Sequence, residues 1–511
     1  MNRRKLMVHA VAVLVGTSLV LGGALAAPTE SLKVVAPWEI TGLDPAKAGY
    51  VFTRMRVAET LVDVADDGSL RGALATRWTV SKDALQWRFT LRSGVKFHDG
   101  TACDSAAVVR SLELALQQPG LLRTAGIQKI SADGTDVVIQ LAKPFGALPA
   151  YLAHSSAQIL APAAYAADGS VKRIVATGPY QVASLQAPQK MALERFAAYW
   201  GSAPAIAQAQ YLAVSRAETR AMLAESGQAD LVFSHDPAAL ERLRRNANLT
   251  LLSQPVPRTI YIKVNAHHPL LKDVRVRQAL SMALDRAGIG AAVLRDPKAA
   301  ATQLFPPFMA EWHVPGLAPL QRNAAQARQL LQAAGWVQGA DGMFSANGQA
   351  VRLTMRTFSD RPELPAIATA IQAQLREIGV ALEVRVGNSS DIPAGHQDGS
   401  LELALLARNY ALVPDPVGTL LQDFGPTGGD WGAMGWRSAQ VDDVLGQLSR
   451  SSEVQRRSAL RGSFSTIVQA DLPLIPVVWY QLTATASKRL QGASLDPLER
   501  DYRIDRLRWQ R

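Results

Sequence analysis

Cysteine is the scarcest chemically special residue in this chain, with one copy in 511 residues. Cys103 has no partner for an internal disulfide bond, so a hydrophobic core must hold the fold. Apolar residues make up 48% of the chain and charged residues 19%, which is typical of globular proteins and not of disordered ones. Because a single core stops growing near roughly 250 to 300 residues, this length predicts two or three domains.

The common signatures of enzymes are also missing. The sequence has no GxSxG, HExxH, GxxxxGK[ST], CxxC or GxGxxG motif. The adjacent pair His267-His268 precedes Pro269 and predicts a loop and not a metal site, since neighbouring side chains rarely point at one ion. We therefore expect no catalytic residues, no bound metal and no cofactor.

Clustered positive charge is absent as well, although the formal net charge is +11. No run rich in lysine and arginine is interleaved with aromatic residues, which disfavours nucleic acid as a partner. The short run RLRR at residues 242–245 predicts a solvated helix face.

Residues 1–26 follow the plan of a secretory signal peptide. Arg3, Arg4 and Lys5 precede a long apolar run, and Ala24-Leu25-Ala26 supplies small residues for cleavage. The alternative is an uncleaved membrane anchor, because the uncharged stretch could just span a bilayer. No cysteine follows the apolar run, so we expect no lipid anchor and a periplasmic location.

Residues 87–110, WRFTLRSGVKFHDGTACDSAAVVR, predict a strand, a turn and a capped helix. Trp87, Phe89 and Leu91 alternate with polar residues, as in a half-buried strand. Asp104 then precedes apolar residues at helical spacing and is the expected N-cap.

Other elements can be read in the same way. Residues 55–61 suggest a helix, and Asp273 precedes a second helix as its cap. A strand over 351–357, a helix ending at Gly379 and the following strand form a predicted βαβ unit. The apolar run at 401–408 indicates a strand buried on both faces.

Seven residue blocks follow one another over nearly the whole chain after the apolar N-terminal run. They are VAETLVDVADDGSLRGALATRWTVSKD, WRFTLRSGVKFHDG, ATGPYQV, RFAAYWG, YIKVNAHHPLLKDVRVRQALSMALDR, ARQLLQAAGW and LPLIPVVWY. In the order of these blocks, the chain resembles the extracytoplasmic solute-binding proteins that serve peptide and nickel-chelate ABC importers.

This resemblance implies an α/β fold of the periplasmic binding protein type II-like kind. Two α/β lobes would enclose a cleft, with a smaller α+β domain inserted. Lobe I would combine residues 27–65, 178–262 and 480–511; the inserted domain II would be 66–177; lobe III would be 263–479. The lobes would close on the ligand by hinge motion.

The implied function is that of the periplasmic substrate-binding component of an ABC transporter. Such a monomer would capture a peptide or a small polar solute, such as a nickel or metallophore chelate, for a permease and its ATPase. Two alternatives remain open: a secreted enzyme such as a hydrolase on a two-lobed scaffold, and a ligand-sensing binding protein without transport.

The resemblance also implies where the ligand is chosen. Peptide binders carry an aspartate for the ligand's ammonium group at the position of Leu412, and nickel-chelate binders carry an arginine in the region of Gln158. This chain lacks both. Arg123 and Arg408 are candidate replacements for the charge, and Tyr410 is a candidate aromatic contact.

Two further aromatic residues complete the predicted ligand-binding set, namely Tyr50 and Trp431. Trp431 belongs to the glycine-rich segment 425–435, GPTGGDWGAMG. That composition predicts a mobile loop, and a loop with tryptophans is also suited to closing over a ligand.

Overall fold

The computed structural model describes residues 30–510 except 119–120, 426–427 and 452. The predicted signal peptide lies outside the described residues. Within them, no helix has the length and apolar character needed to cross a membrane.

The strands are short except for two. In chain order they are β1 Ser31–Ala36, β2 Val62–Val64, β3 Leu70–Gly72, β4 Ala75–Val80, β5 Gln86–Leu91, β6 Ile127–Asp133, β7 Asp136–Leu141, β8 Tyr180–Gln186, β9 Lys190–Arg195, β10 Gln208–Ala213, β11 Leu231–Phe233, β12 Leu249–Val264, β13 Val337–Gln338, β14 Phe344–Ala346, β15 Gln349–Ala350, β16 Arg352–Phe358, β17 Ala381–Gly387, β18 Leu403–Asn409, β19 Leu474–Ser487, β20 Leu490–Gln491 and β21 Arg508–Trp509.

The helices are concentrated in the second half of the chain. They are α1 Pro45–Arg54, α2 Ser105–Gln117, α3 Leu148–Tyr151, α4 Ala217–Glu225, α5 Leu240–Arg245, α6 Val274–Ala283, α7 Arg286–Ile289, α8 Ala324–Ala333, α9 Glu363–Glu377, α10 Asp391–Gln397, α11 Pro416–Asp423, α12 Ala439–Arg450 and α13 Val454–Asp471.

One ten-stranded mixed sheet runs through the molecule in the order β17-β16-β18-β12-β19-β11-β1-β10-β9-β8. Strand β1 is parallel to both β10 and β11, and β16 is parallel to β17 and β18. A separate antiparallel sheet, β4-β5-β7-β6, packs against α2. The α/β class predicted from the sequence is therefore correct.

The long antiparallel pair β12 and β19 joins the two halves of the large sheet. At one end of the pair, β19 lies against β11. At the other end, β12 lies against β18. Between Pro255 and Thr259 the β12–β19 register shifts, so the ladder is interrupted there. Proline has no N–H to donate, and a break of this kind is where a strand pair bends most easily.

The predicted lobe boundaries at 262/263 and 479/480 fall inside β12 and β19. The division into two lobes and an inserted domain stays a proposal, in which these two strands are the covalent connection between lobes I and III. The antiparallel sheet β4-β5-β7-β6 and α2 fall within the proposed inserted domain.

The strand-turn-helix predicted at 87–110 is confirmed. Strand β5 ends at Leu91, and the Asp104 side chain accepts a 2.9 Å hydrogen bond from the Ala107 N–H at the start of α2. Phe89 is fully buried, as the alternation predicted, and Trp87 is 7% exposed.

The predicted βαβ unit is also confirmed as β16-α9-β17. Gly379 has φ 86°, the left-handed conformation that commonly ends a helix. The first four residues of β18 are buried, in agreement with its apolar sequence.

The helix predicted at 55–61 is wrong. The helix there is α1, which begins earlier because Asp44 caps it and Pro45 occupies its first turn. It ends at Arg54, and Arg56 adopts φ 57°. The apolar residues that follow lead instead into the short strand β2.

Candidate ligand-binding site

A cavity of about 180 Å³ lies where α1, the segment after α3, the loop after β18 and the C-terminal tail meet. We call it the front cavity. Its chemically distinctive wall residues are Tyr50, Arg54, His154, Leu412, Glu499 and Arg500.

Helix α1 supplies one wall of the front cavity. Tyr50 and Arg54 are four residues apart and therefore share a helix face. Gly49 allows the neighbouring segment to approach, since a Cβ there would lie 2.6 Å from the Ser155 carbonyl oxygen. A larger residue at position 49 would push this wall outward.

Arg500 brings a positive charge that the protein satisfies only in part. Its Nη2 donates to the Ala153 carbonyl, whereas its buried Nη1 has no hydrogen-bond partner among the described residues. Burial lowers the pKa of Arg500 and lowers the pKa of the neighbouring His154 to about 4. His154 is therefore neutral near pH 7.

The carboxylate of Glu499, by contrast, already has hydrogen-bond donors from the protein. Its Oε2 accepts a 2.9 Å hydrogen bond from Arg258 Nε and a 2.7 Å bond from Asn409 Nδ2. Burial alone would raise the pKa of Glu499. The nearby charges of Arg258, Arg361 and Arg54 hold this pKa below its ordinary value. This carboxylate is committed to protein cations.

Cations stack on aromatic rings beside the front cavity. The Arg54 guanidinium lies 5.4 Å from the Tyr50 ring centre and 5.7 Å from that of Trp38. Arg361 lies 5.1 Å from Trp38 and 5.0 Å from Tyr480 and is 6% exposed. Such stacking holds guanidinium groups in place without neutralising them.

The structure brings only two of the predicted ligand contacts to the walls of the front cavity, Tyr50 and Leu412. Gln158 lies behind the wall of the front cavity and is 1% exposed. Its Nε2 donates to the Gly49 carbonyl at 2.7 Å and to Thr53 Oγ1 at 2.6 Å, so it fastens the cavity wall.

Arg408 and Tyr410 have structural partners. Arg408 donates to Asp423 from Nε at 2.8 Å and from Nη2 at 2.7 Å, so its charge is already neutralised. Tyr410 is fully buried with its ring centre 5.0 Å from that of Phe305. The proposed ligand roles of both residues would require these contacts to change.

Arg123 and Trp431 are not wall residues of the front cavity. Arg123 is exposed on a short 3-10 turn, and its predicted contact with the ligand stays a prediction. Trp431 is half-buried with its ring centre 6.2 Å from that of Phe358, and its carbonyl accepts a bond from the Tyr261 hydroxyl.

The glycine-rich segment around Trp431 is hydrogen-bonded to the side chain of Lys263 on β12. Buried Lys263 donates to the Gly429 carbonyl at 2.6 Å and the Asp430 carbonyl at 2.8 Å, and its Nζ lies 2.8 Å from His396 Nδ1. Burial lowers the pKa of Lys263 to about 7. These bonds anchor Gly429 and Asp430 to β12, and the mobility of the loop stays a prediction.

Sequence reasoning missed Arg54, Arg361, Glu499 and Arg500. No motif marks them, and their grouping arises from chain segments hundreds of residues apart. Among the described residues, no group of three or more histidine, cysteine, aspartate or glutamate side chains is arranged to hold a metal ion.

Comparison with known proteins gives a consistent result. Residues 69–431 match the family model described as bacterial extracellular solute-binding proteins, family 5 Middle. The chain is 27% identical to the glutathione-binding protein GsiB of Escherichia coli O1:K1 / APEC, over 95% of this chain and 96% of the relative.

Solved structures agree on the fold. NikA from Brucella suis in complex with Fe(III)-EDTA is 24% identical with a TM-score of 0.85, covering 94% of this chain and 100% of that one. The oligopeptide-binding protein AppA from Bacillus subtilis in complex with a nonapeptide is 19% identical with a TM-score of 0.82, covering 94% and 99%. The fold predicted from the sequence, of the periplasmic binding protein type II-like kind, is confirmed.

Proposed function

Since the chain belongs to the family 5 bacterial extracellular solute-binding proteins, we propose that it captures a small carboxylate-bearing solute in the periplasm for an ABC importer. It acts by binding and not by chemistry. A permease and its ATPase are the partners that receive the ligand, and the relatives named above make a peptide, glutathione or a metal chelate the leading ligand types.

The observation that carries this proposal is one unpaired guanidinium donor at the front cavity. Arg500 Nη1 is buried without a partner among the described residues, and Arg54 stands in the same wall. A buried charged donor left unbonded costs about 1 to 3 kcal/mol or more. A ligand carboxylate would recover this cost through charge-assisted hydrogen bonds.

The size of the front cavity supports a small ligand group. Its volume of about 180 Å³ compares with roughly 30 Å³ for one water molecule in the liquid. That space suits the carboxylate end of a solute, and the remainder of the ligand would extend along the interface between lobes I and III.

Native mass spectrometry of the purified protein tests the proposal directly, because a tightly held ligand should co-purify. Thermal unfolding should then be measured with glutathione, dipeptides and nickel–histidine chelates. A ligand at 100 times its Kd stabilises the folded state by about 2.7 kcal/mol.

Arg500→Gln should weaken binding of the identified ligand at least tenfold, because the free guanidinium donor is lost. Arg123→Gln is the matched control, since Arg123 is exposed and lies outside the cavity wall. Repeated ligand-free mass spectra with no stabilisation by any member of the panel would contradict the proposed function. Equal loss in both variants would contradict the assignment of Arg500.

A further inference from the structure

His154 is a wall residue of the front cavity, and its two ring nitrogens have different surroundings. The residue precedes the short 3-10 turn Ser155–Ala157 and caps it. Its Nδ1 accepts a 3.2 Å hydrogen bond from the Ser156 backbone N–H, and the Ser156 hydroxyl lies 2.9 Å from the same nitrogen. A backbone N–H can only donate, so Nδ1 must present its lone pair to Ser156.

The protonation state of His154 follows from these contacts. A ring with a lone pair on Nδ1 is neutral and carries its proton on Nε2, and we assign the proton there. Burial, followed by the charges of Arg500 and Arg408, lowers the pKa of His154 to about 4, so the ring stays neutral near pH 7. The hydrogen bonds between the ring and the described residues are all made at Nδ1. The Nε2–H donor is therefore available to a ligand.

Arg500 lies beside His154 in the same wall. Its Nη2 donates to the carbonyl of Ala153, the residue that precedes His154. Its Nη1 is buried and has no hydrogen-bond partner among the described residues. The wall of the front cavity thus presents two neighbouring N–H donors, one on a neutral ring and one on a cation.

The front cavity is small enough for one ligand group to meet both donors. Its volume is about 180 Å³, only a few times the roughly 30 Å³ of one water molecule in the liquid. The other two charged wall residues are joined to each other, because Arg54 Nε donates to the Glu499 carbonyl at 3.2 Å. His154 and Arg500 are the adjacent wall residues that each have an N–H without a described partner.

Two neighbouring donors distinguish a carboxylate from its amide. A carboxylate presents two acceptor oxygens, whereas a carboxamide presents one oxygen and an NH₂ group that donates. Whichever way an amide is turned between His154 and Arg500, its NH₂ group faces a donor. A site built to hydrogen-bond one group rejects an analogue that leaves its buried polar groups unpaired.

We propose that His154 is a specificity-determining residue of the front cavity, whose Nε2–H bonds one oxygen of the ligand's carboxylate while Arg500 bonds the other. This inference rests on the proposed function. Because the ring is neutral, it adds a donor to the wall without adding charge. It therefore selects for an acceptor oxygen at one position, whereas the charge of Arg500 attracts anions in general.

The test compares each carboxylate probe with its amide by isothermal titration calorimetry at pH 7. The pairs are L-alanyl-L-alanine with L-alanyl-L-alaninamide, glutathione with its glycinamide form, and the nickel chelate of histidine with that of histidinamide. We expect the wild-type protein to bind at least one carboxylate form about tenfold or more tightly than its amide. In His154→Phe this ratio should fall about fivefold or more, because a ring of similar shape remains and the donor is lost.

His267→Phe is the matched control, since His267 is exposed and lines a different cavity, and its ratio should equal that of wild type. A purely structural role of His154 would weaken both members of a pair equally. An unchanged ratio in His154→Phe therefore overturns the inference, as does equal binding of acid and amide by the wild-type protein. Failure of the wild-type protein to bind any carboxylate probe is a different result, which overturns the proposed function together with the inference.

Discussion

At the scale of single residues, the buried carboxylates of Glu499 and Glu363 differ in how far nearby guanidinium groups compensate their charge. Glu499 is surrounded by Arg258, Arg361 and Arg54, which hold its pKa below the ordinary value despite burial. Glu363 has a raised pKa because burial outweighs the attraction of Arg361. The first carboxylate is bonded to Arg258 and Asn409, and the second is desolvated more strongly than the nearby arginines compensate.

Glu363→Gln should change how the stability of the ligand-free protein depends on pH. The folded pKa of Glu363 lies above its ordinary value of 4.5, so the folded state binds this proton more tightly than the unfolded state does. The resulting stabilisation is fully present below pH 4.5 and is lost as the pH rises through the folded pKa. Glutamine carries no such dependence.

The free energy of unfolding of wild type relative to Glu363→Gln should therefore fall between pH 4.5 and pH 8. Urea unfolding of both proteins at the two pH values measures this difference, in which other titrating groups cancel. Glu113→Gln is the control, because Glu113 is exposed. A difference that stays constant or grows with pH would contradict the burial of an uncompensated carboxylate.

At the scale of elements, the glycine-rich segment 428–434 is held by bonds to β12 rather than by its own composition. Lys263 donates to two carbonyls of the segment, and the Tyr261 hydroxyl donates to a third. Ala266 N–H also bonds to the Met434 carbonyl at 2.9 Å. Glycine content alone predicted mobility because it reports local backbone freedom and not distant donors.

Lys263→Met should release this segment. The substitution keeps most of the side-chain length but leaves the carbonyls of Gly429 and Asp430 without their donor. Each buried unsatisfied group costs about 1 to 3 kcal/mol. Urea unfolding should show that loss, and hydrogen exchange of residues 428–434 should become faster.

Lys272→Met is the matched control for that experiment, because Lys272 is exposed and should change neither quantity. If exchange of residues 428–434 in Lys263→Met equals that of wild type, the segment is held by other contacts.

At the scale of the whole molecule, the β12–β19 pair is the structural link that a closing motion would bend. On β19 the register break lies between Trp479 and Gln481, at the proposed boundary between lobes III and I, whereas on β12 it lies within proposed lobe I. Gln481 and Asp296 form a polar contact across the proposed interface. A polar contact of this kind exchanges with water at little net cost.

Ligand binding should therefore reduce the radius of gyration in solution. Small-angle X-ray scattering of the wild-type protein, with and without the ligand identified by mass spectrometry, measures this change. Arg500→Gln at the same ligand concentration should scatter more like the ligand-free protein. Identical curves for the saturated and ligand-free wild-type protein would contradict closure about β12 and β19.

The sequence by itself determined the local elements and the family. Strand β5, the caps Asp104 and Asp273, and the helix end at Gly379 were predictable because each depends on residues only a few positions away. The order of the resembling blocks was sufficient for the family, which the match over residues 69–431 confirms. The helix predicted at 55–61 failed where the cap at Asp44 set a different start for α1.

Only the tertiary structure decided which charges are free to meet a ligand. Arg408 is paired with Asp423, which is 15 residues away, and its predicted contact with the ligand stays a prediction. Glu499 is neutralised by Arg258, which is 241 residues away. Arg500 Nη1 and Glu363 Oε1 are buried without a hydrogen-bond partner among the described residues. Charge compensation depends on proximity in space and on dielectric surroundings, and neither is written in the spacing of residues along the chain.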